Sequence, residues 1–124
     1  MACILVIEDD PNVREVLQEM LGTAGYTVAV AREGQEGLRY VETQTIDLVI
    51  TDLLMAGQEG LETIRRLRTL APTIPILAIS GGMSGVDILH IATLMGAQRV
   101  LAKPLHLQEL LEAVQALLPQ EEGR

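Results

Sequence analysis

The sequence predicts an α/β protein, in which a parallel β-sheet is covered on both faces by helices. Five short, almost continuous apolar runs alternate with segments whose apolar residues recur at helical spacing. Strands of this composition are typical of parallel sheets, because helices on each side bury both of their faces. No linker, internal repeat or shift in composition divides the 124 residues, so we expect a single domain.

The predicted elements follow one another in strand–helix order along the chain. The predicted strands cover residues 4–7, 27–31, 46–51, 74–79 and 99–102, and the predicted helices cover about 11–21, 34–43, 61–70, 86–95 and 107–118. The first helix should end at Gly22 and Gly25. Pro119 stops the last helix, so we expect a domain over residues 1–119 and a frayed tail over residues 120–124.

The amino-acid composition indicates which residue types form the core and which class of partner is disfavoured. Hydrophobic residues make up 48% of the chain, yet it has no Phe, no Trp and only two Tyr, so the core should be aliphatic. The formal net charge of −8 argues against binding to a nucleic-acid backbone, which needs a basic face. Three arginines of the third predicted helix, Arg65, Arg66 and Arg68, are expected on its solvated side.

The sequence carries no sign of export or membrane insertion. It has no basic segment followed by a signal-type apolar stretch, and no apolar run approaches the roughly 18 residues of a membrane span. The one cysteine, Cys3, cannot form an internal disulfide and suits a small buried side chain in a reducing compartment. We therefore expect a soluble cytoplasmic protein.

Polar side chains stand where four of the predicted strands end. Carboxylates, a hydroxyl and an amine follow the first, third, fourth and fifth strands: Glu8, Asp9 and Asp10, then Asp52, then Ser80, and finally Lys103. Because the carboxyl ends of parallel strands share one edge of a sheet, we expect these groups to converge there. Open α/β sheets bind their ligands at that edge, so the convergence predicts a functional site.

Each of these residues also has a simpler interpretation. Asp52 alone suits a turn or a helix cap, and residues 8–10 suit a solvated turn that leads into the first helix. Together, however, carboxylates held a few Å apart must take up protons or share a cation. Oxygen ligands with room left for water and phosphate favour Mg²⁺, so we interpret the cluster as a magnesium site.

Lys103 is the only lysine of the chain. At the end of an apolar strand, its ammonium is better placed to act as a point charge on a phosphoryl oxygen than as a surface amine. Pro104 fixes the backbone that follows, with a cis peptide bond as one option. Ser80 by itself suits a residue that ends a strand or caps a helix. The glycines after it do not form a Walker loop, and His90 and His106 lack a metal-ligand spacing.

Six segments of the chain match a known family in the same order. They are residues 4–11 (ILVIEDDP), 47–55 (DLVITDLLM), 60–62 (GLE), 79–80 (IS), 96–97 (GA) and 103–105 (KPL). Over nearly its whole length the chain resembles the receiver domains of two-component response regulators. The resemblance implies a doubly wound, flavodoxin-like sheet of five parallel strands in the order 2-1-3-4-5.

The resemblance also implies a signalling function. Asp52 would be the phosphoacceptor, which takes a phosphoryl group from a histidine kinase or a histidine phosphotransfer protein. Lys103 would contact the phosphoryl group, and Ser80 would move to bond it after transfer. Such a protein is phosphorylated and dephosphorylates itself, rather than turning over a separate substrate. The output to a target protein is expected through the face formed by the fourth helix, fifth strand and fifth helix.

The resemblance further implies a set of metal ligands. Asp9 and Asp52 would ligate Mg²⁺ directly, together with the backbone carbonyl of Leu54. Glu8 would act mainly through water, and Asp10 would be the weakest ligand of the three acidic residues in the first cluster.

Three positions depart from the pattern of the family. Val100 stands three residues before the lysine, where the family usually has an aromatic residue whose rotation reports phosphorylation. Leu105 replaces the usual Phe after the Lys–Pro pair, and Ala56 replaces a common Pro. We therefore expect intact phosphoryl chemistry and an output that works without an aromatic switch.

Three other functions stay open at this stage. A Mg²⁺-dependent phosphatase with a D-x-D pair would need a second carboxylate where Leu54 stands. A module that binds flavin or nucleotide is disfavoured by the scarcity of aromatic residues and the lack of a phosphate loop. A degenerate receiver that binds partners without phosphorylation is favoured by Val100 and disfavoured by the complete set of site residues. Because the chain ends after the fifth predicted helix, we expect it either to signal in trans or to be a receiver excised from a larger protein.

Overall fold

A computed structural model of the chain describes residues 2–53, 59–80, 90, 92–93 and 96–118. The strands and helices assigned there are, in chain order, β1 (Cys3–Ile7), α1 (Pro11–Thr23), β2 (Thr27–Ala31), α2 (Gly34–Thr43), β3 (Leu48–Asp52), α3 (Glu59–Leu70), β4 (Ile76–Ser80), β5 (Arg99–Ala102) and α4 (Leu107–Leu117). Helix α4 is therefore the fifth helix predicted from the sequence. Most of the predicted fourth helix, over residues 86–95, and the predicted tail lie outside the described residues. Within the described part of the chain, no helix has both the length and the apolar content to cross a bilayer.

The five strands are all parallel and lie in the order β2-β1-β3-β4-β5. This confirms the doubly wound α/β fold and the strand order expected for it. The chain steps outward from β1 to β2 and then returns across β1 to β3, so the strand order reverses at the β1–β3 pair. In folds of this type, ligands bind in the crevice at that reversal, outside the carboxyl ends of the strands.

Each face of the sheet has its own apolar cluster. Alternate residues of β1 point to opposite faces, so Leu5 and Ile7 join one cluster while Ile4 and Val6 join the other. The first cluster includes side chains of α3, and the second includes side chains of α1 and α4. The largest fully buried side chains of the described residues are all Ile or Leu, which confirms the predicted aliphatic core. Cys3 is only half-buried, because it lies at the open amino end of β1.

The third and fourth strands differ slightly from the prediction. Strand β3 starts two residues later than expected and extends through Asp52. Strand β4 starts at Ile76 rather than at residue 74. Pro75 explains this later start, because it has no N–H to donate, although its carbonyl accepts a hydrogen bond from the Val49 N–H at 3.0 Å.

Helix α1 begins with a side-chain cap. The Asp10 carboxylate accepts a 2.9 Å hydrogen bond from the Asn12 N–H, which satisfies one of the free donors at the helix start. Pro11 occupies the first turn, where its missing N–H is not needed. The helix ends at Thr23, two residues beyond the predicted span and between Gly22 and Gly25, the glycines expected to end it.

Helix α3 starts in close contact with the end of β3. A Cβ atom on Gly60 would lie 2.6 Å from the Leu53 Cα and 2.7 Å from the Asp52 carbonyl oxygen. These are backbone atoms, which cannot turn aside as a flexible side chain can. Glycine therefore allows the start of α3 to pack directly behind Asp52.

The prediction that all three arginines lie on the solvated side of α3 is wrong for Arg68. Arg65 and Arg66 are exposed and pair with Glu62, as expected. Arg68 is instead partly buried, and it donates hydrogen bonds to backbone carbonyls of the loops that precede β4 and β5. The physical reason is helical spacing, since residue 68 lies one turn after the buried Ile64 on the same side of α3.

Candidate functional site

The ends of four strands meet at one edge of the sheet. Strands β1 and β3 are paired in register, so Glu8, which follows β1, lies level with Asp52, which closes β3. Ser80 closes β4, and its carbonyl accepts a 2.8 Å hydrogen bond from the N–H of Lys103, which follows β5. The topology therefore brings the predicted site residues of separate segments to a common edge.

Lys103 forms an ion pair with Asp52 at this edge. Its Nζ lies 3.1 Å from Oδ2 of Asp52, and it donates a hydrogen bond to that oxygen. The Asp52 side chain is only 3% exposed, so the pair is largely shielded from water. Burial lowers the pKa of Lys103, but the hydrogen bond to Asp52 and the charges of Asp52 and Glu8 outweigh burial, so its pKa is raised. Lys103 therefore stays protonated beside the Asp52 carboxylate.

Glu8 is the least well satisfied member of the site. Its side chain is 1% exposed, and Oε2 accepts a 3.2 Å hydrogen bond from the Asp10 N–H. Its other oxygen, Oε1, accepts no hydrogen bond, although the Lys103 ammonium lies 3.5 Å away. Burial, followed by the neighbouring Asp52, raises the pKa of Glu8 to about 8. The site thus holds more buried carboxylate than one ammonium can neutralise.

The acidic residues are grouped closely enough to share a cation. Glu8, Asp9 and Asp52 each offer one carboxylate oxygen, and these three oxygens lie within 4.8 Å of one another. Asp9 is exposed, so one side of the group is open to water. A hard cation that keeps part of its water shell fits such a donor set, and Oε1 of Glu8, which accepts no hydrogen bond from the described residues and has the Lys103 ammonium 3.5 Å away, is an available acceptor. The residues present therefore fit Mg²⁺.

The turn between β1 and α1 holds the acidic residues in place. Asp10 caps α1 with its side chain while its N–H binds Glu8, so the simpler interpretation as a cap applies to Asp10. The Arg14 guanidinium donates a 2.9 Å hydrogen bond to the Glu8 backbone carbonyl. Sequence reasoning missed Arg14, and the available signal was a basic residue in the first turn of the helix that follows an acidic cluster.

The other predicted site residues lie near this group or outside the described residues. Ser80 is buried at the end of β4, and the Lys103–Pro104 peptide bond is cis. Val100 is half-buried on β5 and packs against the apolar cluster of the α3 side. The carbonyl proposed as a metal ligand, that of Leu54, lies outside the described residues, as does Ala56.

Comparison with known proteins identifies the class of protein. The chain matches the response regulator receiver domain family over residues 4–115. It belongs to this family, whose members act in two-component signalling, bind Mg²⁺ at an acidic pocket and interact with histidine kinases and downstream effectors.

Individual proteins agree with this assignment. The response regulator MprA of Mycolicibacterium vanbaalenii is 37% identical over 121 residues, which cover 93% of this chain and 49% of MprA. The chain thus spans about half the length of that relative. A putative response regulator from Chloroflexus aurantiacus superposes with a TM-score of 0.89 at 32% identity, covering 96% of this chain and 98% of the other. The response regulator TrrA of Thermotoga maritima, solved in complex with Mg²⁺ and BeF, gives a TM-score of 0.85 at 33% identity and covers 95% and 100% of the two chains.

Proposed function

We propose that the chain accepts a phosphoryl group on Asp52 from a histidine kinase or a histidine phosphotransfer protein. The observation that carries this proposal is the 3.1 Å contact between the Lys103 ammonium and a buried Asp52 carboxylate, in a site that also holds two further carboxylates. Nucleophilic carboxylates that form aspartyl phosphates need this combination of a shielded position and nearby positive charge.

The transfer itself requires little covalent chemistry from the protein. The P–N bond of the phosphohistidine breaks as an Asp52 oxygen bonds to phosphorus, and the imidazole that leaves takes up a proton. Phosphoryl transfer is accelerated mainly by positioning and by neutralising charge on the equatorial oxygens. Lys103 is placed to turn from the Asp52 carboxylate to one of these oxygens, and the Ser80 hydroxyl is assigned to another.

The metal ligands in this proposal are Asp9 and Asp52, with the Leu54 carbonyl as a third and Glu8 acting through water. When bound, Mg²⁺ would supply positive charge against the oxygens of the transferring group. TrrA was solved in complex with Mg²⁺ and BeF, a combination that mimics a phosphoryl group beside a metal ion. The similarity to TrrA supports a Mg²⁺-dependent phosphoryl site in this chain.

Intact-mass spectrometry after incubation with Mg²⁺ and acetyl phosphate tests the proposal. We expect one labile adduct of about 80 Da, the mass of a phosphoryl group on an aspartate. Asp52→Asn should remove the adduct. Asp47→Asn is the matched control, because Asp47 lies at the opposite end of β3 and binds the Cys3 N–H. Asp52 would be refuted as the acceptor if the adduct survives in Asp52→Asn. It would also be refuted if the wild-type protein with Mg²⁺ bound forms no adduct.

We further propose that the signal leaves through the face of the predicted fourth helix, β5 and α4, in trans and in the cytoplasm. Val100 is an aliphatic, half-buried side chain, so no ring is available to swing between two positions. The alternative, a binding module that ignores phosphorylation, is favoured by the same residue. If the wild-type protein binds a target more tightly when it is phosphorylated, the proposal is supported. If target binding depends on phosphorylation only in Val100→Tyr, the alternative is supported.

A further inference from the structure

Arg68 joins three segments at the amino ends of β4 and β5. Its Nη1 donates to the carbonyls of Pro72 and Ile74, both at 2.8 Å, in the loop between α3 and β4. Its Nη2 donates to the carbonyl of Gly96 at 2.7 Å and to Oε1 of Gln98 at 3.0 Å, in the loop that precedes β5. We call Arg68 with Gln98 the arginine clasp.

The clasp is connected to the sheet through Gln98. The Gln98 Oε1 that accepts from Arg68 also accepts a 2.8 Å hydrogen bond from the Ile76 N–H, and the Gln98 N–H donates to the Ile76 carbonyl at 3.0 Å. Gly96 has a φ of +123°, and a Cβ there would lie 3.0 Å from the Arg68 Nε. Glycine thus allows the loop to approach the guanidinium.

Among the described residues, few other contacts fix the register of strand β5. It contains four residues, lies at the edge of the described sheet and pairs only with β4. Arg99 and Ala102 are exposed and Val100 is half-buried, so Leu101 is its one buried side chain. A shift of one residue along β4 would move the strand by about 3.3 Å and turn every side chain to the opposite face.

We propose that Arg68 is a positioning residue for Lys103. By holding the loop before β5 against α3 and β4, the clasp sets the register of β5, and Lys103 follows that strand directly. The N–H of Lys103 then meets the Ser80 carbonyl, and its ammonium meets Asp52. The consequence for phosphorylation rests on the function proposed above, whereas the position of Lys103 can be measured without it.

The test uses the fact that Lys103 is the only lysine of the chain. Lysine labelled with ¹³C at Cε gives one side-chain NMR signal, and the signal in Asp52→Asn shows how it moves when the contact is lost. We expect Arg68→Ala and Gln98→Ala to move the signal toward that position and to slow phosphorylation by acetyl phosphate about tenfold, since small misplacements of a charge-stabilising group are costly. Gln98→Glu keeps an acceptor oxygen and should restore both readouts. Arg66→Ala, an exposed change on the same helix, should alter neither.

Circular dichroism establishes which variants are folded before the comparison. If Arg68→Ala does not fold, Gln98→Ala decides the question, because it changes no residue of α3. The proposal would be overturned if Arg68→Ala or Gln98→Ala folds and keeps both the lysine signal and the phosphorylation rate of the wild-type protein. Failure of the unmodified protein to take up phosphate would contradict the proposed function, while the NMR signal would still test the position of Lys103.

Discussion

The proton on Glu8 should be released when Mg²⁺ binds. With a pKa raised to about 8, Glu8 is protonated in about 90% of metal-free molecules at pH 7. A divalent cation beside this carboxylate favours its charged form, so binding should release about 0.9 protons at pH 7 and about 0.1 at pH 9. Mg²⁺ affinity should therefore rise about tenfold per pH unit below pH 8 and level off above it.

Isothermal titration calorimetry measures this release directly. Titrations at one pH in two buffers with different ionisation enthalpies give the number of protons released on binding. Glu8→Gln should reduce the number to near zero. Glu62→Gln, a change to a partly exposed glutamate of α3 that pairs with Arg65 and Arg66, should leave it unchanged. Mg²⁺ binding at pH 7 without proton release would refute the raised pKa of Glu8 and the crowding of carboxylates on which it depends.

The same proton makes the stability of the metal-free protein depend on pH. Because the pKa of Glu8 is raised on folding, the folded chain binds more protons than the unfolded chain between its ordinary value near 4.5 and about 8. The contribution is therefore fully present at low pH and is lost as the pH rises through this window. Its slope is at most about 1.4 kcal/mol per pH unit. Urea denaturation in EDTA at several pH values should show this slope, and Glu8→Gln should flatten it.

Three further changes test the packing and charge of the site. Gly60→Ala should lower the free energy of unfolding by at least about 2 kcal/mol, because the added Cβ meets backbone atoms. Gly22→Ala, with open space around it, should instead raise that free energy by up to about 1 kcal/mol. Equal effects of the two changes in urea denaturation would contradict the close contact at Gly60. Asp10→Ala should cost about 1 kcal/mol through loss of the helix cap and Asp10→Asn much less, so equal losses would argue against capping. Lys103→Met should slow phosphorylation by acetyl phosphate about a hundredfold yet tighten Mg²⁺ binding, since it removes a competing cation; weaker Mg²⁺ binding by calorimetry would count against that reasoning.

The fold was largely predictable because its signals are local. Short apolar runs that alternate with helical spacing indicate a covered parallel sheet, and polar residues that end several strands must then share an edge. Asp52 and Lys103, which are far apart in the sequence, could thus be predicted to be neighbours. Strand ends were less predictable, since the start of β4 depends on which backbone groups of Pro75 can pair with β3.

The roles of the arginines could not be assigned by the same reasoning. Arg68 was grouped with Arg65 and Arg66 because all three are charged, although its spacing from Ile64 placed it on the packed side of α3. Its acceptors include the Gly96 carbonyl, 28 positions away, and no local pattern encodes that contact. The protonation state of Glu8 could not be predicted from the sequence either, because its raised pKa depends on burial and on the nearby Asp52.

Because its core is aliphatic, this protein has very weak aromatic absorbance and fluorescence in the near ultraviolet. With no Trp and no Phe, its aromatic signal comes from Tyr26 and Tyr40 alone, which are both half-buried and belong to opposite faces of the sheet. A single indole introduced at Val100, excited at wavelengths that tyrosine does not absorb, would therefore fluoresce without background from Tyr26 and Tyr40. Its emission would report directly whether a ring beside β5 changes its environment when Asp52 is phosphorylated.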